Sequence, residues 1–410
     1  MKILHTSDWH LGQKLTGRDR DEEHRLALDW LADFIGQEKV DVLVVAGDVF
    51  DIHNPPNSAR ELYYRFLRKL IQSRVRHVVI IGGNHDSPNM LEAPKELLQL
   101  LGIHVVGAAT GDVSDEIIEL KDAEGKVELV VAAVPFLRDQ DLRKAFEGET
   151  TIERYERIRE AIRAHYEEVA AAIREKYGTE IPVIATGHLY ATGASSSAKQ
   201  DNIYLGNLEN IAAEDFPEIF EYVALGHIHR PQAVGGIEHI RYCGSLIPLN
   251  FSETKDDKLV VLAELENGKL KAIKEQTLPV FRRLKTIEGD LEYIKKRLSQ
   301  LDKDYRDGLS PWVELVVDEE HPEPGLADDL REFASGLHPE ILAIRLKRQA
   351  SKSLDELVGV ELDALSPEEV FLRRCEAKGI TDKEQKELLK TYRELLEWMQ
   401  QNENAASSES

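Results

Sequence analysis

Five short motifs, Asp8-x-His10, Gly47-Asp48, Gly83-Asn84-His85-Asp86, Gly187-His188 and Gly226-His227-x-His229, each stand directly behind a run of apolar residues. Any one of them alone would be an accident of turn or surface. Five in succession, each behind its own apolar run, point to a built site. Their side chains are Asp, Asn and His without Cys. That mixed oxygen and nitrogen set suits Mn, Fe or Zn, whereas Mg and Ca favour oxygen alone. Asp8, His10, Asp48, Asn84, His188, His227 and His229 are too many for one ion that must keep positions open for substrate. Two ions sharing a bridging carboxylate fit better. Ions ~3.5–4 Å apart can activate a water and stabilise both the attacking and the leaving oxygen of a phosphoryl transfer. Phosphoester hydrolysis is the reaction such a set implies.

The runs that precede the motifs read as strands: Lys2 to Thr6, Val40 to Ala46, His77 to Ile81, Pro182 to Thr186 and Tyr222 to Leu225. In open α/β sheets, sites form at the carboxyl ends of strands, so five such ends can converge. Glycine beside a ligand lets the backbone turn sharply and approach a metal or phosphate closely. Amphipathic stretches fall between the strands. Asp21 to Gln37 is expected to be a helix with Leu26, Leu28, Trp30, Leu31, Phe34 and Ile35 on a broad apolar face, followed by Asn57 to Ser73, Met90 to Leu101 and Thr151 to Tyr177. Glu128 to Val134 is one more strand. Beyond residue 230 the rhythm changes to strands alone, and His239 to Cys243, Lys258 to Leu265 and Lys269 to Thr277 read as an antiparallel set. Asn267-Gly268 is a type I′ hairpin signal within it. The class is α/β, with two packed sheets flanked by helices.

In this order the motifs resemble those of calcineurin-like metallophosphoesterases over residues 1 to about 279. The resemblance implies a four-layer sandwich of two central sheets with helices outside. It implies one divalent metal held by Asp8, His10, Asp48 and His229, and a second held by Asp48, Asn84, His188 and His227. His85 would be the acid beside the leaving oxygen, with Asp86 orienting it. Ser7-Asp8-Trp9-His10-Leu11-Gly12, Gly47-Asp48-Val49-Phe50-Asp51, Ala224 to His229 and Arg241-Tyr242-Cys243-Gly244-Ser245 are similar to the SbcD-type branch of that family. That likeness, and no feature of composition, implies a manganese-dependent DNA nuclease. Such an enzyme acts as exonuclease on double-strand ends and endonuclease on hairpins. It works as a homodimer within a heterotetramer with an SbcC-type ATPase, in repair and recombination at the nucleoid.

Residues 280 to 350 read as a small α+β unit resembling the capping domain of that branch: strand Leu284 to Ile287, helix Asp290 to Leu301, strand Trp312 to Val317, helix Leu326 to Ser335 and strand Ile341 to Arg348. The basic run Arg345-Leu346-Lys347-Arg348, with Lys352, is either a DNA contact or a solvated strand end. Residues 351 to 401 hold a linker and two capped helices, opened by Ser366-Pro367-Glu368-Glu369 and Thr381-Asp382-Lys383-Glu384. Leu388, Tyr392, Leu395 and Met399 make a narrow apolar stripe on the second. Two helices this short either fold back on their own chain or dock on a partner, and the resemblance favours the ATPase. Residues 402 to 410 read as a disordered tail.

Composition limits these readings. Against 75 Asp+Glu stand 52 Lys+Arg, a net charge of -23, which repels a polyanion unless metal cations, local basic groups or a second subunit supply positive surface. No apolar run approaches the ~20 residues needed to span a bilayer, and the N-terminus turns polar too early for a secretory signal, so the chain is expected in the cytoplasm. Cys243 and Cys375 are expected to be reduced and structural. The remaining histidines have no motif behind them, with His24 and His165 expected on solvated helix faces and His53 close enough to Asp48 to line the substrate side. Ser195 to Ser197 are expected to form a flexible loop or to touch a phosphate backbone. Arg18, Arg20 and Arg25 are either solvated charges or DNA contacts.

Overall fold

A strand such as Val42–Ala46, apolar at every position, must bury both of its faces, and the chain meets this by stacking two sheets. The computed structural model describes residues 1–73, 75–138, 141–142, 151–191, 211–318, 325–347 and 388–389. The chain divides into two units, Met1–Leu346 and Lys347–Ser410; the expected C-terminal helices lie outside the described residues apart from Leu388 and Leu389. The first stretch runs through β1 (Lys2–Thr6), a tiny hairpin of β2 (Lys14–Leu15) and β3 (Arg18–Asp19), α1 (Asp21–Glu38), β4 (Val42–Ala46), α2 (Asn57–Ile71), β5 (His77–Ile81), α3 (Pro88–Glu92), α4 (Lys95–Gln99) and β6 (Ile103–Val106). The second comprises β7 (Ile117–Lys121), β8 (Val127–Ala132), α5 (Thr151–Tyr177), β9 (Val183–His188), β10 (Phe220–Gly226), β11 (Gln232–Val234) and β12 (Ile237–Tyr242). Then β13 (Leu259–Glu266) and β14 (Lys269–Thr277) return to the first sheet, whose order is β14-β13-β1-β4-β5-β6; the second sheet runs β11-β12-β10-β9-β8-β7.

Strand alternation sorts side chains into layers. Ile3, Val44, Val79 and Ile81 of the first sheet meet Val131, Ile184, Tyr222 and Ala224 of the second in a largely apolar middle layer. Their neighbours Leu4, Leu43 and Val45 face outward against Leu31, Ile35, Phe66 and Leu70 of α1 and α2. On the far side, Val130, Ala185 and Val223 take Ile162, Tyr166 and Ile173 of α5. Each such buried side chain stabilises by roughly 1.5–3 kcal/mol, so these three interfaces outweigh the helix preference of any single residue. His5 bridges the middle layer, with ring nitrogens 2.9 Å from the Tyr222 hydroxyl and 3.1 Å from the Leu225 carbonyl. Burial drives its pKa down to about 3, so it is neutral there.

A third sheet, β15 (Leu284–Gly289), β16 (Trp312–Val317) and β17 (Glu340–Leu346), is parallel throughout and carries α6 (Leu291–Asp304) and α7 (Leu326–Ala334) over its own core of Ile287, Ile294, Leu298, Val313 and Leu315. Arg282 joins it to α1: Nε donates to Glu23 Oε1 at 2.9 Å, and the guanidinium carbon lies 4.1 Å from the centroid of the Trp312 ring.

Several sequence expectations are corrected. The helix expected over Met90 to Leu101 is two short ones, because Pro94 has no N–H to continue the ladder. Strand β12 does not join β13 and β14 as an antiparallel set; it pairs parallel to β10 in the second sheet. His24 is fully buried rather than solvated; it shares a face with Leu28, Leu31 and Ile35 at helical spacing. His165 is mostly buried too, with Nε2 2.8 Å from Glu116 Oε2. Arg20 is buried against Glu23 and donates to the Pro248 carbonyl at 2.6 Å, which removes it from any DNA surface. Arg25 pairs with Glu22 and Asp29, and Arg345 with Glu314 at 2.9 Å. The hairpin signal holds: Asn267 and Gly268 both have positive φ, 52° and 78°.

Candidate metal centre

The strand ends are where the backbone is strained. Asp8, His10, Asp48 and His227 adopt φ of 52°, 48°, 49° and 97°, a region that costs a non-glycine residue about 1–3 kcal/mol and persists where surrounding bonds over-determine it. Those bonds are present. Asp8 N–H donates to Gly47 O and His10 N–H to Asp48 O, both at 3.0 Å. His227 N–H donates to Asp8 Oδ1 and His85 N–H to Asp48 Oδ1, both at 2.9 Å. Glycine permits the approach: a Cβ on Gly83 would strike the Asp48 carboxylate, and one on Gly226 the Ala46 carbonyl.

The turns bring the seven motif side chains into one cluster drawn from both sheets. Asp8, His10 and His229 offer ligand atoms within 4.8 Å of one another, as do Asp8, Asp48 and His188. Asp48 Oδ2 lies 3.2 Å from His188 Nε2 and 3.5 Å from His10 Nε2. Asn84 Oδ1 is 3.0 Å from His188 Nε2 and 3.2 Å from His227 Nδ1. Asp48 thus stands between two groups, Asp8, His10 and His229 on one side and Asn84, His188 and His227 on the other. Asp8, His10, Asp48, His188 and His227 are buried, whereas Asn84, His85 and His229 are partly exposed and leave one side open to solvent. The residues fit divalent metal ions. His10 Nε2 is buried with no hydrogen-bond partner among the described residues, an orphaned acceptor or donor that ligation would satisfy.

Ring nitrogens on the far side of these histidines are held. His10 Nδ1 meets Asp51 Oδ1 at 3.1 Å, His188 Nδ1 meets the Ala46 carbonyl at 2.9 Å, and His229 Nδ1 meets Glu253 Oε1 at 3.2 Å. Partners of this kind fix the tautomer and orientation of a ligating ring. His85 Nδ1 lies 2.7 Å from the Asp51 carbonyl oxygen, so Asp51, and not Asp86 as expected, orients that ring. The Asp86 carboxylate is occupied otherwise, accepting from the N–H groups of Val49, Phe50 and Gly83 at 3.1, 2.9 and 2.9 Å. It ties two motif loops together. Burial and the neighbouring Asp48 charge lift its pKa to about 6.

Charge in the cluster favours cations. Burial opposes ionisation of Asp48, but His188, His10 and His85 hold its carboxyl far below the ordinary range. For His10, burial lowers the pKa, and the Asp51 hydrogen bond with the Asp48 and Asp8 charges overturns this and raises it to about 9. His188 is likewise raised to about 9 against burial, by Asp48 first. Burial and the His188 charge take His227 down to about 3, leaving it neutral. With raised pKa values, His10 and His188 carry protons below pH 9 and must release them to ligate a metal. Metal uptake at pH 7 should therefore expel at least one proton per chain, and affinity should climb as pH rises toward 9. Calorimetric titration with Mn2+ in two buffers of different ionisation heat measures this; heats independent of buffer would contradict it.

His53 is exposed, and Ser195 to Ser197 lie outside the described residues. Sequence reasoning missed Glu253 and Lys258 behind His229. The Asn250-to-Glu253 spacing marks a turn locally and says nothing about a histidine 24 positions away. The Cys243 thiol is buried, 3.1 Å from Ser7 Oγ.

Comparison with known proteins bears on the same residues. Residues 1–231, which contain all five motifs, match the calcineurin-like phosphoesterase family, and residues 280–379 match the type 5 capsule protein repressor C-terminal domain. The SbcD subunit of the SbcCD nuclease from Escherichia coli (strain K12) is 37% identical over 390 residues, 95% of this chain and 96% of that one. Proteins of the same name from Rhodobacter capsulatus and Bacillus subtilis are 38% identical over 282 residues and 34% over 273, each match covering 65% of this chain and 67% of the relative. With the phosphoesterase motifs in order and a relative of this identity along nearly its whole length, the chain belongs to the calcineurin-like phosphoesterases, in the family of the SbcD nuclease subunits.

Proposed function

We propose that this chain is a two-metal phosphodiesterase that cuts DNA, the nuclease subunit of an SbcCD-type complex. The chief support is the meeting of seven motif side chains from two sheets around Asp48, in a chain 37% identical to an SbcD nuclease subunit over 95% of its length. Asp8, His10, Asp48 and His229 would hold one divalent ion, and Asp48, Asn84, His188 and His227 the other. Bound there, such ions supply Lewis-acid activation of water and neutralise phosphate charge. The mixed donor set suits Mn, Fe or Zn, and it is the likeness to the SbcD branch that favours Mn2+ among them. His85 Nδ1 donates to the Asp51 carbonyl, which leaves Nε2 free to face the substrate, and the acid role requires the imidazolium form, whose Nε2–H would go to the leaving 3′ oxygen. Double-strand ends and hairpins are the proposed substrates, with exonuclease and endonuclease action.

An SbcC-type ATPase is the proposed partner, docked on the helices of residues 351 to 401, with the nuclease as a homodimer in a heterotetramer. Partner surface would offset the chain's net charge of -23. Among the described residues no helix is long and apolar enough to cross a membrane, in keeping with action in the cytoplasm at the nucleoid. Another phosphoesterase acting on nucleotides or phosphoproteins is the nearer rival reading, against which the match over residues 280–379 weighs; a non-catalytic scaffold of the same fold is the more distant one, against which the complete set of seven motif side chains and His85 weighs. The test is cleavage of linear and hairpin DNA by the purified chain with Mn2+ and with Mg2+. Intact DNA alongside hydrolysis of nucleotides would favour the nearer rival.

Deleting residues 360 to 410 should leave weak manganese-dependent cleavage of short DNA and remove partner binding and ATP-stimulated activity. Co-purification of the truncated chain with the ATPase, or its failure to fold, would contradict this modular arrangement.

A further inference from the structure

His229 differs from the other ring ligands in what stands behind it. His10 and His188 are held from motif loops, by Asp51 and by the carbonyl at the end of β4. His229 is held from a short 3-10 turn, Phe251–Glu253, that carries no metal-binding motif. Glu253 Oε1 lies 3.2 Å from His229 Nδ1, while Oε2 accepts from Lys258 Nζ at 2.7 Å and from Leu249 N–H at 3.1 Å. Lys258 Nζ also donates to Ser245 Oγ at 2.8 Å and to the His229 carbonyl at 3.0 Å. The side chains of Glu253 and Lys258 are 1% and 5% exposed. An ion pair buried this fully is costly, and apolar residues of equal size often stabilise as well or better. Its place directly behind a site histidine therefore calls for a reason other than stability.

We propose that Glu253, anchored by Lys258, is the positioning residue of His229, fixing the ring with Nδ1 as hydrogen-bond donor and Nε2 as the metal-ligating atom. This rests on the reading of His229 as a ligand. The consequence is specific to one carboxylate shape and charge. In Glu253→Gln the amide NH2 must face either the Lys258 and Leu249 donors or His229 Nδ1, and neither orientation keeps all the bonds.

Mn2+ titration of the full-length chain by calorimetry, beside His229→Ala, tests this. Wild type should bind two ions, and His229→Ala should lose one of them. Glu253→Gln should weaken that same ion by about 10–100-fold and leave the other unchanged, while the metal-free melting temperature falls because Lys258 is left buried without its carboxylate. Wild-type affinity for both ions in Glu253→Gln would overturn the proposal, as would equal weakening of both, which marks a packing role. Two tight ions in His229→Ala would instead show that the ligand assignment beneath it is wrong. If Glu253→Gln does not fold, nitrogen NMR of the wild-type chain loaded with 113Cd2+ decides: coupling at His229 Nε2 with a proton on Nδ1 is expected, and coupling at Nδ1 overturns it.

Discussion

Replacing Asp48 with alanine should remove both metal ions and all phosphodiesterase activity. Its Oδ2 lies between His188 Nε2 and His10 Nε2, at 3.2 and 3.5 Å, and its Oδ1 accepts the His85 N–H. One carboxylate thus faces both halves of the cluster, and the histidine charges keep it ionised against burial. No neighbour can take over. The Asp51 carboxylate is bound to His10 Nδ1, on the far side of that ring, and Asp86 is tied to three backbone N–H groups. Elemental analysis of the purified variant checks this, and two metals per chain in Asp48→Ala would sink the bridging assignment.

Replacing His85 with glutamine should spare metal content and DNA affinity while kcat on DNA falls by ~10²–10⁴, or about 2.7–5.5 kcal/mol of barrier. The ring stands 4.9 Å from His10, centroid to centroid, and is partly exposed on the open side of the cluster. Its Nδ1 is engaged with the Asp51 carbonyl, which leaves Nε2 to donate a proton. Loss of a positioned acid hurts most where the leaving group is a poor one. Bis-p-nitrophenyl phosphate expels a phenolate that needs little protonation, so the deficit there should be much smaller than on DNA. Equal deficits on both substrates with metals intact would remove the acid role, and lost metal would make His85 a ligand or a support.

What the sequence made legible was local. Each proposed ligand follows an apolar strand and sits next to glycine or one residue from a second candidate, so strand pattern and motif could be read together at Asp8, Asp48, Asn84, His188 and His227. The structure adds a backbone reason for the pattern, in the positive φ of Asp8, His10, Asp48 and His227. Support of the rings was not legible, because His229 and Glu253 meet through folding and no local spacing links them. Asp86 was misread for a related reason: adjacency to His85 suggested contact, but the turn sends its carboxylate to Val49 and Phe50 on another loop. Strand β12 followed the same logic, since its parallel partner β10 is fixed by the middle layer and not by the run of strands that comes after it. His24 could have been caught from its spacing to Leu28, Leu31 and Ile35.

The most direct test of the two-metal account is anomalous diffraction from crystals of the full-length protein loaded with Mn2+. Two peaks are expected, one among Asp8, His10, Asp48 and His229 and one among Asp48, Asn84, His188 and His227, with Asp48 shared between them. A single peak, or ions bound away from the ends of β1, β4, β5, β9 and β10, would contradict it.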